Sequence, residues 1–131
     1  RDAQERLVYQ TRYLTGDEHG TYGLPIPAFV NVPPLELDQG YVWTVELPEF
    51  EASVSGTIVR VNTTASFDEE FAAAEAEERL QLLADAGLWY DMLDQLAQLH
   101  RDRPDEPQWY RIWGEITEAA DLMKMGMKPL L

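Results

Sequence analysis

Tyr41-Val42-Trp43-Thr44-Val45-Glu46-Leu47 alternates along its whole length, and its reading decides the fold. Successive side chains of an extended chain point to opposite faces. Tyr41, Trp43, Val45 and Leu47 therefore share one face, and Val42, Thr44 and Glu46 share the other. That is the pattern of a β-strand. Pro48–Ala52 turns the chain, and Ser53–Val61 is expected to return as the partner strand. Val54 and Ile58 fall on one face of it, Val59 and Val61 on the other. Gly56 marks a bulge there, or both faces are covered.

Upstream the β signal continues with less regularity. Arg6–Tyr13 alternates, with Leu7, Tyr9 and Tyr13 against Gln10 and Arg12. The run from Gly16 to Gly20 is a turn-rich break. Tyr22–Val32 reads as a shorter extended stretch, and Pro25 and Pro27 confine it to an edge or an irregular strand because proline cannot donate to a ladder.

Downstream the apolar period changes from two to 3.6 at Ser66. Ser66 with Glu69 reads as a capping box, and Asp68, Glu69 and Glu70 suit the positive end of a helix. This helix should run to Ala86 and stop at Gly87. It has two apolar faces: Ala72, Ala73, Ala76, Leu80 and Leu83 on one, Phe67, Phe71 and Leu82 on the other. The alanine side is expected against the next helix and the phenylalanine side against the sheet. A second helix, Leu88–Arg101, should bury Trp89, Met92, Leu93, Leu96 and Leu99, leaving Asp91, Asp94, Gln95 and Gln98 outside. After a polar connection around Pro104, a third begins near Pro107. Its stripe is Trp109, Ile112, Trp113, Ile116, Ala120 and Met123, and its end, Met125–Leu131, is expected to fray. The expected fold is α+β, with a partial antiparallel β-sandwich-like section over 1–64 and a three-helix section over 65–131. The helix hairpin spans about 67–101 and the third helix about 107–124.

Composition excludes several function classes. Twenty-four acidic residues against ten basic ones give a formal charge of −14. That field repels a phosphate backbone, so nucleic acid is not an expected partner. There is no cysteine, hence no disulfide, thiolate metal site or thiol catalysis. No run approaches the roughly 20 apolar residues of a membrane span. The chain opens at Arg1 without an apolar leader, and a processed or trimmed chain is expected.

Catalytic patterns are missing too. The serines Ser53, Ser55 and Ser66 stand in no Gly-x-Ser-x-Gly elbow, and no phosphate loop or calcium loop is encoded. His19 with Asp17 and Glu18 is thin for zinc, which needs three or four converging ligands. His100 reads as a partly buried histidine at a helix C-terminus. Asn62-Thr63-Thr64 matches a glycosylation acceptor and is taken as chance. No cofactor, metal site or catalytic residue is expected. Candidate partner-binding residues are Trp89, Tyr90, Asp91 and Tyr110, since a stripe wide enough to include the two tyrosines leaves an exposed apolar patch.

Three resemblances add to this reading. Gly87, Met92, Leu96, Leu99 and Pro104, with Gly114 beyond, are spaced as in a tetratricopeptide repeat, although Met92 stands where alanine is usual. Leu35 and Tyr41 are spaced like the tyrosine corner of fibronectin-III and immunoglobulin-like sandwiches. On that likeness Tyr41–Leu47 and Ser53–Val61 are the two last strands of an incomplete sandwich. Leu83-Ala84-Asp85-Ala86-Gly87-Leu88-Trp89-Tyr90-Asp91-Met92-Leu93, together with Gly40-Tyr41-Val42-Trp43, resembles the cyanobacterial domain-of-unknown-function family 928. The likeness covers most of residues 1–103 and implies the later two-thirds of an exported protein, with an immunoglobulin-like region, a helical region and no established activity.

The function expected is a non-enzymatic, exported binding or scaffolding module docked to a larger assembly. Its location would be the periplasm, thylakoid lumen or extracellular space. Its partner would be another protein chain, added as a strand to an open sheet edge. The alternatives are a structural appendage without a dedicated ligand and an acidic cation-binding protein.

Overall fold

A computed structural model describes residues 1–16 and 22–119. Those residues fold as α+β, with a two-stranded antiparallel sheet and four α-helices. The chain divides into two compact units: Arg1–Leu14 with Ile26–Thr63, and Thr15–Pro25 with Thr64–Leu131.

The first unit is built on the hairpin of β1 (Gly40–Leu47) and β2 (Ala52–Val59). Pro48–Phe50 forms a 3₁₀ turn between them, closed by Glu51 at φ 49° with its N–H on the Pro48 carbonyl. Pairing runs without interruption from Gly40 opposite Val59 to Leu47 opposite Ala52. There is no bulge at Gly56; the residue instead accommodates an indole. A Cβ placed there would meet the Trp43 ring at 2.6 Å, because Trp43 lies directly across the ladder.

The two upstream segments expected as β, Arg6–Tyr13 and Tyr22–Val32, are not strands. Leu7, Tyr13, Leu24 and Ile26 are exposed, so the alternation has no face to bury. Pro25 and Pro27 also remove two ladder donors from the second segment.

An Asx-type turn shapes the N-terminal residues. The Asp2 carboxylate accepts from the N–H groups of Gln4 (3.0 Å) and Arg6 (2.9 Å) and from Arg6 Nε (2.8 Å). Desolvation within this turn raises the Asp2 pKa. The hydrogen bonds from Arg6 and Gln4, with the Arg6 charge, outweigh it and hold the carboxyl below its ordinary value. A carboxyl depressed in the folded state contributes its stability above the unfolded pKa and loses it as pH falls through the folded one. The Gln4 and Arg6 amide resonances should therefore titrate together below the ordinary aspartate range. A pH titration by NMR in which they move at the ordinary value would contradict the turn.

The second unit holds α1 (Ala65–Ala73), α2 (Ala76–Asp85), α3 (Trp89–Asp102) and α4 (Pro107–Ala119). The single helix expected from Ser66 to Ala86 is thus two. Ala74 and Glu75 are extended, at ψ 150° and 169°. Alanine is the best helix former, so the break is not written in local propensity. Arg79 sustains it from the following helix, with Nε on the Phe71 carbonyl (3.0 Å) and Nη2 on the Ala72 carbonyl (3.3 Å). Its guanidinium also lies 5.2 Å from the centre of the Phe71 ring. It thereby satisfies carbonyls that the end of α1 leaves over. Arg79→Ala should lower the unit's stability by about 1.5 kcal/mol, the scale of charge-assisted hydrogen bonds; urea unfolding followed by helical circular dichroism measures it.

The first cap also differs from expectation. Thr64, not Ser66, is the N-cap, its hydroxyl accepting from the Phe67 N–H at 3.1 Å. The Ser66 hydroxyl turns to the Glu70 carboxylate at 3.3 Å. Phe67 and Phe71 lie one turn apart on α1, and their rings stack at 5.8 Å. They pack on the helical core.

Gly87 ends α2 as expected, at φ +74°. Its N–H reaches the Ala84 carbonyl, and the Leu88 N–H reaches the Leu83 carbonyl at 2.9 Å. These are the two bonds of a Schellman motif. Leu88 packs with the core beside it, and Trp89, expected to open the buried stripe, is 53% exposed.

The core itself joins Leu80 and Leu83 of α2, Met92, Leu96 and Ala97 of α3, and Trp109 and Trp113 of α4. Thr117 is buried and bonds the Trp113 and Gly114 carbonyls through its hydroxyl. The Trp109 indole N–H donates to Glu106 at 2.7 Å. Trp109, Ile112, Trp113 and Ile116 follow the expected stripe; Ala120, Met123 and the Met125–Leu131 end lie outside the described residues.

Candidate functional site

The hairpin's hydrogen-bonding edges follow from one pair of contacts. The Arg1 nitrogen donates to the Val42 carbonyl (2.6 Å), and the Val42 N–H donates to the Arg1 carbonyl (2.8 Å). In an antiparallel ladder a residue aims both its backbone groups to one side, and its neighbours aim theirs to the other. Val42, Thr44 and Glu46 thus face away from β2, and Tyr41, Trp43, Val45 and Leu47 face it. By the same register Ala52, Val54, Gly56 and Ile58 bond β1, while Ser53, Ser55, Thr57 and Val59 face outward, and Thr57 among these is already engaged in an interaction. Among the described residues, the outward groups of Ser53, Ser55 and Val59 have no hydrogen-bond partner.

Apart from the contact made by Thr57, this outer edge of β2 carries none of the usual guards in its sequence. Open edges are commonly guarded by charge, proline, bulges or short length. From Ala52 to Val59 there is no charged residue, no proline and no bulge. The edge of β1 differs: Arg1 occupies it at Val42 and Glu46 places a charge on it.

Side chains divide the hairpin unequally. Tyr41, Trp43, Val45 and Leu47 lie with Ile58, Gly56, Val54 and Ala52 on one face, which is apolar throughout. Tyr41 alone is buried, at 9% exposure, its hydroxyl accepting from the Glu36 N–H at 3.0 Å. The bond runs back to the backbone five residues upstream. Further along the same face Val54 is 61% exposed, and Val45 and Leu47 are open beside it. The opposite face pairs Val42 with Thr57, Thr44 with Ser55 and Glu46 with Ser53.

The four residues singled out from the sequence are exposed but do not gather. Trp89, Tyr90 and Asp91 form the first turn of α3. Tyr110 packs on His100 near the other end of that helix, ring centres 5.8 Å apart. At 1.5 Å per residue, roughly 16 Å of helix separates Trp89 from His100. His100 is half-buried, as expected. Asp17, Glu18 and His19 lie outside the described residues, and among the described ones no group of three or more acidic or histidine side chains is placed to hold a metal.

An open cleft of about 490 Å³ runs beside the α1–α2 break, lined by Ala73, Ala76, Arg79, Asp94, Gln98 and Arg103. Arg79 is already committed there to the α1 carbonyls. No described helix is long and apolar enough to cross a membrane. The outer edge of β2 was not among the residues singled out. Its signal was present in the sequence, as an uncharged run inside a strongly acidic chain.

Comparison with known proteins adds one match. The model of a family described as Domain of Unknown Function (DUF928) covers residues 1–130. No curated protein and no solved structure matches the chain.

Proposed function

The chain belongs to the domain-of-unknown-function family 928, and from that premise we propose that it is a non-enzymatic, exported binding module whose hairpin accepts an extended strand from another protein chain. One observation carries this reading: the outer edge of β2 is unguarded and lies beside an apolar face that stays open at Val45, Leu47 and Val54. A lone two-stranded hairpin is marginal in water, and three or more strands with an apolar face are stable. An added strand would supply both the missing hydrogen bonds and cover for that face. The Tyr41–Glu36 bond supports placing the hairpin in an immunoglobulin-like sandwich that this chain leaves incomplete. Gly87, between α2 and α3, supports a tetratricopeptide-like hairpin as the scaffold behind it. Export rests on the family resemblance.

The test uses capped ten-residue peptides, uncharged and β-branched at alternate positions, titrated into the labelled full chain. Amide shifts and slowed exchange should concentrate at Ser53, Ser55 and Val59. Shifts confined to Trp89, Tyr90 and Asp91, or no shift at millimolar peptide, would sink the strand-addition reading.

A further inference from the structure

Arg1 and Val42 exchange both of their backbone hydrogen bonds, at 2.6 Å one way and 2.8 Å the other. Two residues that do so form a hydrogen-bonded pair of an antiparallel ladder. Asp2 then aims its backbone the opposite way, as the next residue of a strand does. Its N–H donates to the Arg6 carbonyl, and its carbonyl accepts from the Glu5 N–H, both at 3.0 Å. The Asp2 carboxylate closes this turn on Gln4 and Arg6, and the chain leaves β1. Arg1 thus has the place of the last residue of a strand, with a turn behind it. We propose that the residues preceding Arg1 in the full-length protein form a third strand, antiparallel to β1 along its outer edge. β1 then becomes the central strand of the sheet.

The Arg1–Val42 pair sets the register. The residue two before Arg1 pairs with Thr44, and the residue four before it pairs with Glu46. Among the described residues, the outward backbone groups of Thr44 and Glu46 have no hydrogen-bond partner. The edge is therefore open on the side from which the chain would arrive, and it is closed at the Asp2 turn. Arg1 bonds Val42 through its backbone nitrogen, and an amide at the same place donates equally well.

Side chains follow from the same register. Residues one, three and five before Arg1 fall across from Trp43, Val45 and Leu47, on the apolar face of the hairpin. Val45 and Leu47 are exposed there, and apolar neighbours would cover them. Residues two and four before Arg1 fall on the polar face beside Thr44 and Glu46. The approach to Arg1 should accordingly alternate, apolar at the odd steps back and polar at the even ones. Three strands with an apolar face are stable where a lone hairpin is marginal. This strand lies on the border opposite to that of β2, so it leaves Ser53 and Ser55 as they are.

Hydrogen exchange by NMR tests this, on the chain beginning at Arg1 and on the same chain with about ten of its own preceding residues. In the longer chain the Thr44 and Glu46 amides should slow by about tenfold or more, the effect of roughly one net hydrogen bond each. The Ser53 and Ser55 amides should not change. Proline two residues before Arg1 removes the donor to Thr44 and should abolish the slowing there. Proline one residue before Arg1, where the nitrogen faces away from β1, should preserve it. Equal exchange of Thr44 and Glu46 in the two chains would overturn the proposal. So would slowing that grows with protein concentration, because the strand would then come from a second copy. If the longer chain does not fold, its sequence decides: polar residues one, three and five before Arg1 overturn the proposal. A natural protein whose intact mass shows that it begins at Arg1 does the same.

Discussion

Leu96→Ala should lower the unfolding free energy of the helical unit by about 3 kcal/mol, within the 2–5 kcal/mol usual for such truncations. Leu96 is the only hydrophobic residue at 0% exposure among the described residues, in the cluster joining α2, α3 and α4. Its loss removes transfer energy and leaves a cavity in that cluster. A domain has only about 5–15 kcal/mol in total, so the variant should unfold at markedly lower urea. Trp89→Ala, one turn outside the cluster, should cost under about 1 kcal/mol, as surface changes do. If the two variants unfold at the same urea concentration, the placement of Leu88 rather than Trp89 in the core is wrong.

Gly56→Ala should destabilise the hairpin by about 2 kcal/mol, because its methyl group would stand 2.6–2.9 Å from the Trp43 ring and overpacking costs about 1–3 kcal/mol. The sign should reverse once the ring is gone. In a Trp43→Ala background the same change adds a Cβ to an open site and removes glycine's backbone freedom, worth about 0.5 kcal/mol of stabilisation. The double-mutant cycle isolates the contact. Exchange rates of the Val45 and Val54 amides, which bond across the ladder, provide the measurement. Equal costs in both backgrounds would mean that the indole does not lie over Gly56.

The strand and helix periods were legible because each is a local pattern. Tyr41 to Leu47 alternates against a real partner, and Gly87 has the one backbone conformation that makes it a stop. What the sequence concealed depended on partners far along the chain. The break after Ala73 is held by Arg79, which no alanine-rich window foretells. Leu88 displaced Trp89 from the core because the Schellman turn, rather than apolarity, decides which residue points inward. Arg6–Tyr13 alternates as well as a strand does, yet it found no ladder, since alternation describes a face and not its neighbour. The edge of β2 went unmarked for a related reason: an unguarded border is recognised only once its other side is seen to be paired.

The acid-free run from Ala52 to Phe67 also fixes how ionic strength should act. With no carboxylate along β2, added salt has no ion pairs to weaken where a strand of another chain docks, and only the repulsion between the −14 chain and an acidic partner to screen. The Debye length shrinks from about 30 Å at 0.01 M to about 3 Å at 1 M, so binding of an acidic partner chain by strand addition should tighten as sodium chloride rises. An interface held by ion pairs would respond in the opposite direction.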